Sequence, residues 1–436
     1  MRRPDSHIRF LIASVAACFL FLLPAFGDSQ ARMVRLSDVE GSVQVDRNTG
    51  QGFEKAFLNL PITQGVKIRT GVMGRAELEF EDSSTLRITP NTDIEVVQLS
   101  LRDSGGKVSA IHLTKGAAYL NYVGASNDDF ELTFAHQKIS PTEPTHLRIQ
   151  LTDTDVAVAV LKGDVTVESG SDKVEVAKSH TATFDLLDND RHQVARGISD
   201  DPNDAWDKQQ TQYDQTYASN SYSSYSPYPY GTADLNYYGN FFNAPGYGML
   251  WQPYLAGAGW DPFMSGAWAF YPGFGFGWVS GYPWGWTPYH YGSWMYLPAY
   301  GWAWQPGGAW MGWNAMPVVL NAPIGFATPK VPALPGPRII VANRGTAPSV
   351  VGKSINKVQV PANSAGLGIP RGSVENLGRL SAAVQHQGFA VTNLHLTPAA
   401  PSAWHSGFSQ PAVGGSSGFH GSSGHVSSGH SSGTHR

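Results

Sequence analysis

Trp260, Trp268, Trp286, Trp294, Trp302 and Trp304 are the residues of this sequence whose type and spacing could do the most chemistry, and that chemistry is recognition. An indole face packs against the apolar face of a sugar ring or against a cationic headgroup. Patterns that would support catalysis fail on context. "GGSSG" at 414–418 satisfies G-x-S-x-G, but a nucleophile elbow needs a strand before it and a helix after it, and this copy sits in a Gly/Ser/His tract. "GKS" at 352–354 has Ala347 where a phosphate loop requires its first glycine. The acid pairs Asp153/Asp155 and Asp188/Asp190 fall on strand edges or turns, with no His and Ser spaced to complete a catalytic set. His420, His425, His430 and His435 recur at every fifth residue in a tract without fixed geometry, which reads as solvated spacer. No enzyme, no cofactor and no metal site is expected.

The tryptophans belong to a repeat. "GWDPFMSGAWAFYPGFGFGW" (259–278) and "GWTPYHYGSWMYLPAYGWAW" (285–304) align at an offset of 26, and a partial copy upstream aligns Gly239, Phe241, Pro245, Tyr247, Gly248 and Trp251 at an offset of 27. Each unit reads as two short strands joined through Pro-x-aromatic-Gly, the composition of a hairpin turn. A segment nearly free of Leu, Ile and Val must build its interior from rings, each burying ~150–250 Å². Repeats of this length stack on their neighbours. A thin hairpin is expected to bury one face and leave the other free, so the six indoles are candidate ligand-binding residues.

The elements before the repeat are strands. From Val34 to about Asp185 the sequence alternates with period two between turn residues, as in "VEGSVQV", "RAELEF", "DIEVVQL" and "KVEVA", which predicts many half-buried antiparallel strands in a β-sandwich or β-roll. "DPNDAWDKQQTQYDQTYA" predicts a short helix with Asp201 as N-cap and Pro202 in its first position; Trp206, Gln210 and Tyr213 share the face that docks on the β-domain.

The stretches "VRLSDVEGSVQV", "GVKIRTGVMGRAELEFEDSSTLRITPNTDIEV", "IHLTKGAAYLNY" and "VAVLKGDVTVES" resemble the FecR domain of bacterial envelope proteins. Gly65, Arg69, Thr70, Gly71, Ala76, Leu78, Leu86, Pro90 and Asn91 carry the resemblance. It implies an all-β module. The family's best-known members carry a cytoplasmic anti-sigma segment, a membrane helix and a periplasmic sensor, whereas here nine residues precede the apolar run. An exported relative that keeps the β-domain for binding or scaffolding is therefore expected. The segment from "YGTADLNYYGNFF" to "WGWTPYHYGSWMYLPAYGWAW" is similar to the aromatic region that often follows FecR-like domains, of unassigned function.

The predicted organisation is residues 1–31 as signal peptide or uncleaved anchor, 32–200 as FecR-like domain, and 201–218 as a short helix. Then come 219–313 as aromatic hairpins, 314–413 as a Pro-rich extended region with one short helix after Ser373, and 414–436 as a disordered tail. Arg2, Arg3 and Arg9 before the apolar run Phe10–Phe26, followed by small residues, predict export with cleavage after Gly27 or Ala31. The lone Cys18 lies in that run, so the mature chain has no disulfide. Residues 32–217 hold 19 Lys and Arg against 29 Asp and Glu, while residues 218–313 hold only Asp234 and Asp261 as charges. The expected setting is the periplasm, the cell envelope or the medium. An envelope polysaccharide or envelope protein is the expected partner; an anchored sensor would instead meet a membrane signalling partner. No nucleic-acid partner is expected.

Overall fold

A computed structural model describes residues 32–396 except 126, 219–224, 313, 314, 334, 335, 337 and 352–355. The expected signal peptide, the "GKS" triplet and the Gly/Ser/His tail lie outside the described residues. Among those described, no helix is long and apolar enough to cross a membrane.

Residues 34–196 form two sheets that share one long strand, Lys107–Tyr122. Its first half pairs with Asp93–Leu101 and Asp129–Phe134 in one sheet. Its second half pairs with Thr85–Ile88 and Thr145–Leu151 in the other. The crossing point is Gly116, at φ +91°, where a Cβ would lie 2.4 Å from Thr92 Oγ1 and 2.7 Å from Thr92 Cα. Only glycine adopts that bend without strain. It also shifts the phase of the strand by one residue: Ile111 and Leu113 point inward before it, Ala118 and Leu120 after it, so a single strand lines the core from both sheets. The period-two reading thus gives a mainly β domain, with one departure. Asp129–Phe134 runs parallel to its neighbour, so the domain is not wholly antiparallel.

The helix spans Asp204–Tyr217. Its N-cap is Asn203, two positions beyond the expected Asp201, without a side-chain cap bond; Asp201 and Asp204 instead brace the turn before it, Asn203 N–H donating to Asp201 Oδ1 at 2.8 Å and Asp201 N–H donating to Asp204 Oδ2 at 2.7 Å. Trp206, Gln210 and Tyr213 are buried on one face as the spacing predicts. Trp206 lies beneath the Arg75 guanidinium of the β-domain, 5.2 Å from ring to Cζ.

Three hairpins follow, Gly239–Ala244 with Gly248–Pro253, Gly266–Tyr271 with Gly275–Ser280, and Ser293–Leu297 with Gly301–Gln305. Equivalent repeat positions face each other in all three: Phe241 opposite Trp251, Trp268 opposite Trp278, and Trp294 opposite Trp304. The turns close through N–H donation from Tyr247 to Ala244 O, Phe274 to Tyr271 O, and Tyr300 to Leu297 O, each at 3.0–3.1 Å. The glycine after each ring, at φ +76° to +90°, returns the chain to the strand.

The segment after the repeat folds more than its composition predicts. Leu377–Gln387 is a helix capped by Asn376, whose Oδ1 accepts from Arg379 N–H at 2.8 Å. Lys357–Pro361 pairs with Phe389–Asn393. Val358, Val360, Leu367, Ile369, Leu377 and Val384 join the aromatic core and supply the branched aliphatics that the repeat lacks. The short helix expected after Ser373 is thus present, while the rest of residues 357–394 is not the extended connector its composition suggests; its apolar side chains have rings to pack on.

Candidate functional site

Alternation on the strands Val34–Glu40, Arg75–Glu79 and Thr85–Ile88 sends Leu36, Ala76, Leu78, Leu86 and Ile88 into the β-core. The same alternation places Arg35, Ser37, Arg75, Glu77, Glu79 and Arg87 on the opposite face, where a half-exposed sheet meets water. Here that face is sealed, and Arg35, Arg75, Glu77 and Arg87 have no exposed surface. Helix 204–217, a second helix Thr232–Tyr238 and the turn around Arg371 cover it.

Arg35, Glu77 and Arg87 each meet a partner from a later part of the chain, while Arg75 pairs with Glu40 on the adjacent strand. Arg87 binds Glu77 at 2.7 Å and reaches Asp207 and Asp214 on the helix at 2.8 Å. Arg371 donates to both oxygens of Asp234 at 2.8 and 2.9 Å and to Glu77 Oε1 at 2.7 Å. Arg35 binds the same Asp234 at 2.6 Å and Glu79 at 3.1 Å, and the Tyr213 hydroxyl donates to Asp234 at 2.7 Å. Burial pushes the Glu77 carboxyl up, but Arg87 and Arg371 outweigh it and hold it down at about 2. Asp234 is lowered likewise, burial being outweighed by Arg371 and Arg35. At Glu79 burial prevails over Arg35 and Arg371 and the carboxyl is raised. Closed to substrate and internally paired, this network joins the β-domain, helix 204–217, the aromatic region and the C-terminal segment.

The six candidate tryptophans lie in the interior. Trp260, Trp268, Trp286, Trp294, Trp302 and Trp304 are each at most 5% exposed. The expectation that one face of the hairpins leaves indoles free is corrected: five of the six pack on one another and on the C-terminal aliphatics in the aromatic core, Trp286 packs with the β-core, and the β-domain covers the other face of the middle hairpin. The middle hairpin turns Trp268 and Trp278 to the aromatic core and Ala269, Tyr271 and Val279 to the β-core. Tyr271 OH donates to Pro61 O at 2.5 Å, and Asn59 Nδ2 donates to Ser280 O and Tyr282 O at 3.0 and 2.7 Å. Trp260, Trp268, Trp294, Trp302 and Trp304 share one cluster with Trp251, Trp278 and Trp284, while Trp286 packs in the other with Tyr230. Trp260 Nε1 donates to Tyr282 OH at 2.9 Å, and Trp304 Nε1 donates to Tyr291 O at 2.7 Å.

What the sequence reading passed over are the partners of this packing. Asp234 carried a signal: a lone acid in an uncharged stretch must find a cation if it is buried. Arg371, 137 positions away, carried none. The exposed rings are instead the turn residues Tyr247, Phe274 and Tyr300, one repeat position in three copies, at 43%, 42% and 41% exposure.

His290 is buried beside two rings that pack with the β-core, 4.4 Å from the Trp286 ring and 5.8 Å from Trp310. Burial, with Arg35 second, lowers its pKa from 6.5 to about 3. The unfolded chain takes up a proton below 6.5 that the folded chain refuses until about 3, so the stability present above 6.5 is lost as pH falls through this window. At pH 5 that loss is about 2 kcal/mol. A His290→Phe variant should lose about that much less than the parent between pH 7 and pH 5 in urea unfolding; equal losses would refute the assignment.

Comparison with known proteins agrees with this division. Residues 66–166 match the family model described as FecR protein, and residues 232–327 match a family of unknown function (DUF6600). Two crystal structures of a candidate anti-sigma factor from Parabacteroides distasonis ATCC 8503 are similar at 12% identity, with TM-scores of 0.26 and 0.27. These matches cover 30% of this chain, and the chain spans 59% of the length of the solved chains. None of the curated proteins matches the chain. Residues 66–166 thus form a region similar to FecR protein, and the segment that holds the aromatic repeat is similar to a family of unknown function, DUF6600.

Proposed function

We propose that this protein is a non-catalytic module of the cell envelope, in which the FecR domain holds the aromatic region in one orientation and the aromatic region makes contact with an envelope component. The observation that carries this reading is the sealed sheet face. The polar side chains through which a free FecR sheet would meet a partner, Arg35, Glu77 and Arg87, are occupied by Asp234, Arg371, Asp207 and Asp214 from later parts of the same chain. Recognition is left to surfaces away from this face, among them the half-exposed turn rings of the repeat.

Export with removal of residues 1–27 or 1–31 goes with this role, and it separates the module from an anchored sensor. The full gene product should be recovered from periplasm or medium as a chain beginning at Asp28 or Arg32, read by N-terminal sequencing. A chain retained in the inner membrane with its N-terminus intact would replace this reading by that of a membrane-held sensor.

A further inference from the structure

We infer that the outer face of the sheet formed by the first and third aromatic hairpins binds a neutral polysaccharide, with Tyr247 and Tyr300 as its two ring platforms. This inference rests on the binding role proposed above and assigns it a place and a ligand class.

The two hairpins join through Trp251 and Trp304, which occupy the same repeat position, and they run antiparallel there. The join therefore has an internal two-fold relation, and the side chains obey it. Gln252 Nε2 donates to Tyr300 O at 2.7 Å, and its repeat equivalent Gln305 Nε2 donates to Tyr247 O at 2.7 Å. Each hairpin's turn is thus pinned by the other hairpin's strand.

The sheet's inner side carries Trp251, Trp294 and Trp304 into the aromatic core. Its outer side has a buried floor of Ala244, Leu250, Met295, Leu297 and Ala303, with Phe242 packed on it. Tyr300's ring lies against Phe242, centroids 5.3 Å apart and planes tilted by 36°. An exposure of 41% fits a ring with one side on this support and the other in water. Tyr247, at 43%, is its counterpart under the two-fold relation.

Each tyrosine stands four residues from the central pair, in opposite directions along the sheet. The Tyr300 ring folds back over the sheet onto Phe242, which pairs with Leu250 on the strand that leads out of the Tyr247 turn. Two rings held on one sheet face offer flat apolar contacts to the sugar units of one polymer. The exposed amide of Asn240 adds hydrogen-bonding capacity for hydroxyls.

Charge selects among polymers. Gly239–Pro253, Ser293–Gln305 and the neighbouring strand Val318–Leu320 contain no Asp, Glu, Lys, Arg or His. Such a face has no cation for a uronic or phosphate polymer and no anion for a basic peptide, while it loses nothing by covering itself with an uncharged one.

The test uses the full chain in native gels containing hydroxyethylcellulose, dextran or galactomannan as neutral polymers and alginate as an acidic one. Retardation by at least one neutral polymer and none by alginate is expected. A Tyr247→Leu, Tyr300→Leu double variant keeps the floor covered but removes the flat rings, and should bind about tenfold or more weakly. Leu187→Ala, at an exposed turn of the β-domain, should bind as the parent does. Neutral-polymer binding unchanged in the double variant would overturn this site while leaving a binding role intact, and so would retardation by alginate alone. No retardation by any of the four would overturn the inference. Crosslinking of the parent chain to an envelope protein would then preserve the broader role, and failure there as well would end both.

Discussion

Replacing Arg371 by methionine is expected to lower the free energy of unfolding by about 3–5 kcal/mol, the usual cost of removing one partner from a buried ion pair. Asp234 would keep Arg35 and the Tyr213 hydroxyl but lose two short donors, and Glu77 would lose the cation on its Oε1 side. Both carboxylates would remain buried. The effect comes from stranded charge more than from the worth of the pair. A double variant, Arg371→Met with Asp234→Asn, should therefore recover part of the loss. Urea unfolding followed by tryptophan fluorescence reads both effects, since the cluster beside Asp234 is rich in indoles. A loss below about 1 kcal/mol for Arg371→Met would mean that the network does not join the modules as described.

Trp284→Ala should cost a similar amount, about 3–5 kcal/mol, for a different reason. Its indole is fully buried and meets Trp251, Trp260, Tyr282, Tyr289 and Trp294 at centroid distances of 4.8–6.2 Å. Its Nε1 donates to Ala365 O at 2.6 Å, which ties the repeat to the C-terminal segment. Truncation leaves a ring-sized void among side chains that cannot collapse, because hairpin backbones hold most of them, and orphans one buried carbonyl. Trp284→Phe keeps most of the volume and should lose clearly less. Thermal unfolding of the two variants side by side separates volume from hydrogen bond. If alanine and phenylalanine cost the same, packing is not what Trp284 contributes.

Local regularity made much of this architecture readable. Period-two runs predicted the strands of residues 34–185, because a pleated strand half-buried in a sheet must alternate. The offsets of 26 and 27 placed Trp268, Trp294 and their partners in hairpins, because Pro and Gly at the turn leave few other conformations. Asp201 and Pro202 marked the entry of the helix, and Trp206, Gln210 and Tyr213 its buried face. Within residues 357–394 the helix after Ser373 was legible, but the strand pair and the burial were not, because proline and glycine suggested a connector while the rings that bury Val358, Leu367 and Val384 come from elsewhere in the chain.

Strand periodicity, the hairpin repeat and the uncharged character of the aromatic stretch follow from the order of residues alone, since each depends on neighbours within a few positions. Which face of a hairpin is wet does not. Trp268 is dry because the aromatic core gathers around it, Tyr271 on the opposite face because the β-domain covers it, and Asp234 is held because Arg371 closes over it. The last two contacts join residues 137 and more positions apart, and no local pattern encodes the surface a distant segment will cover.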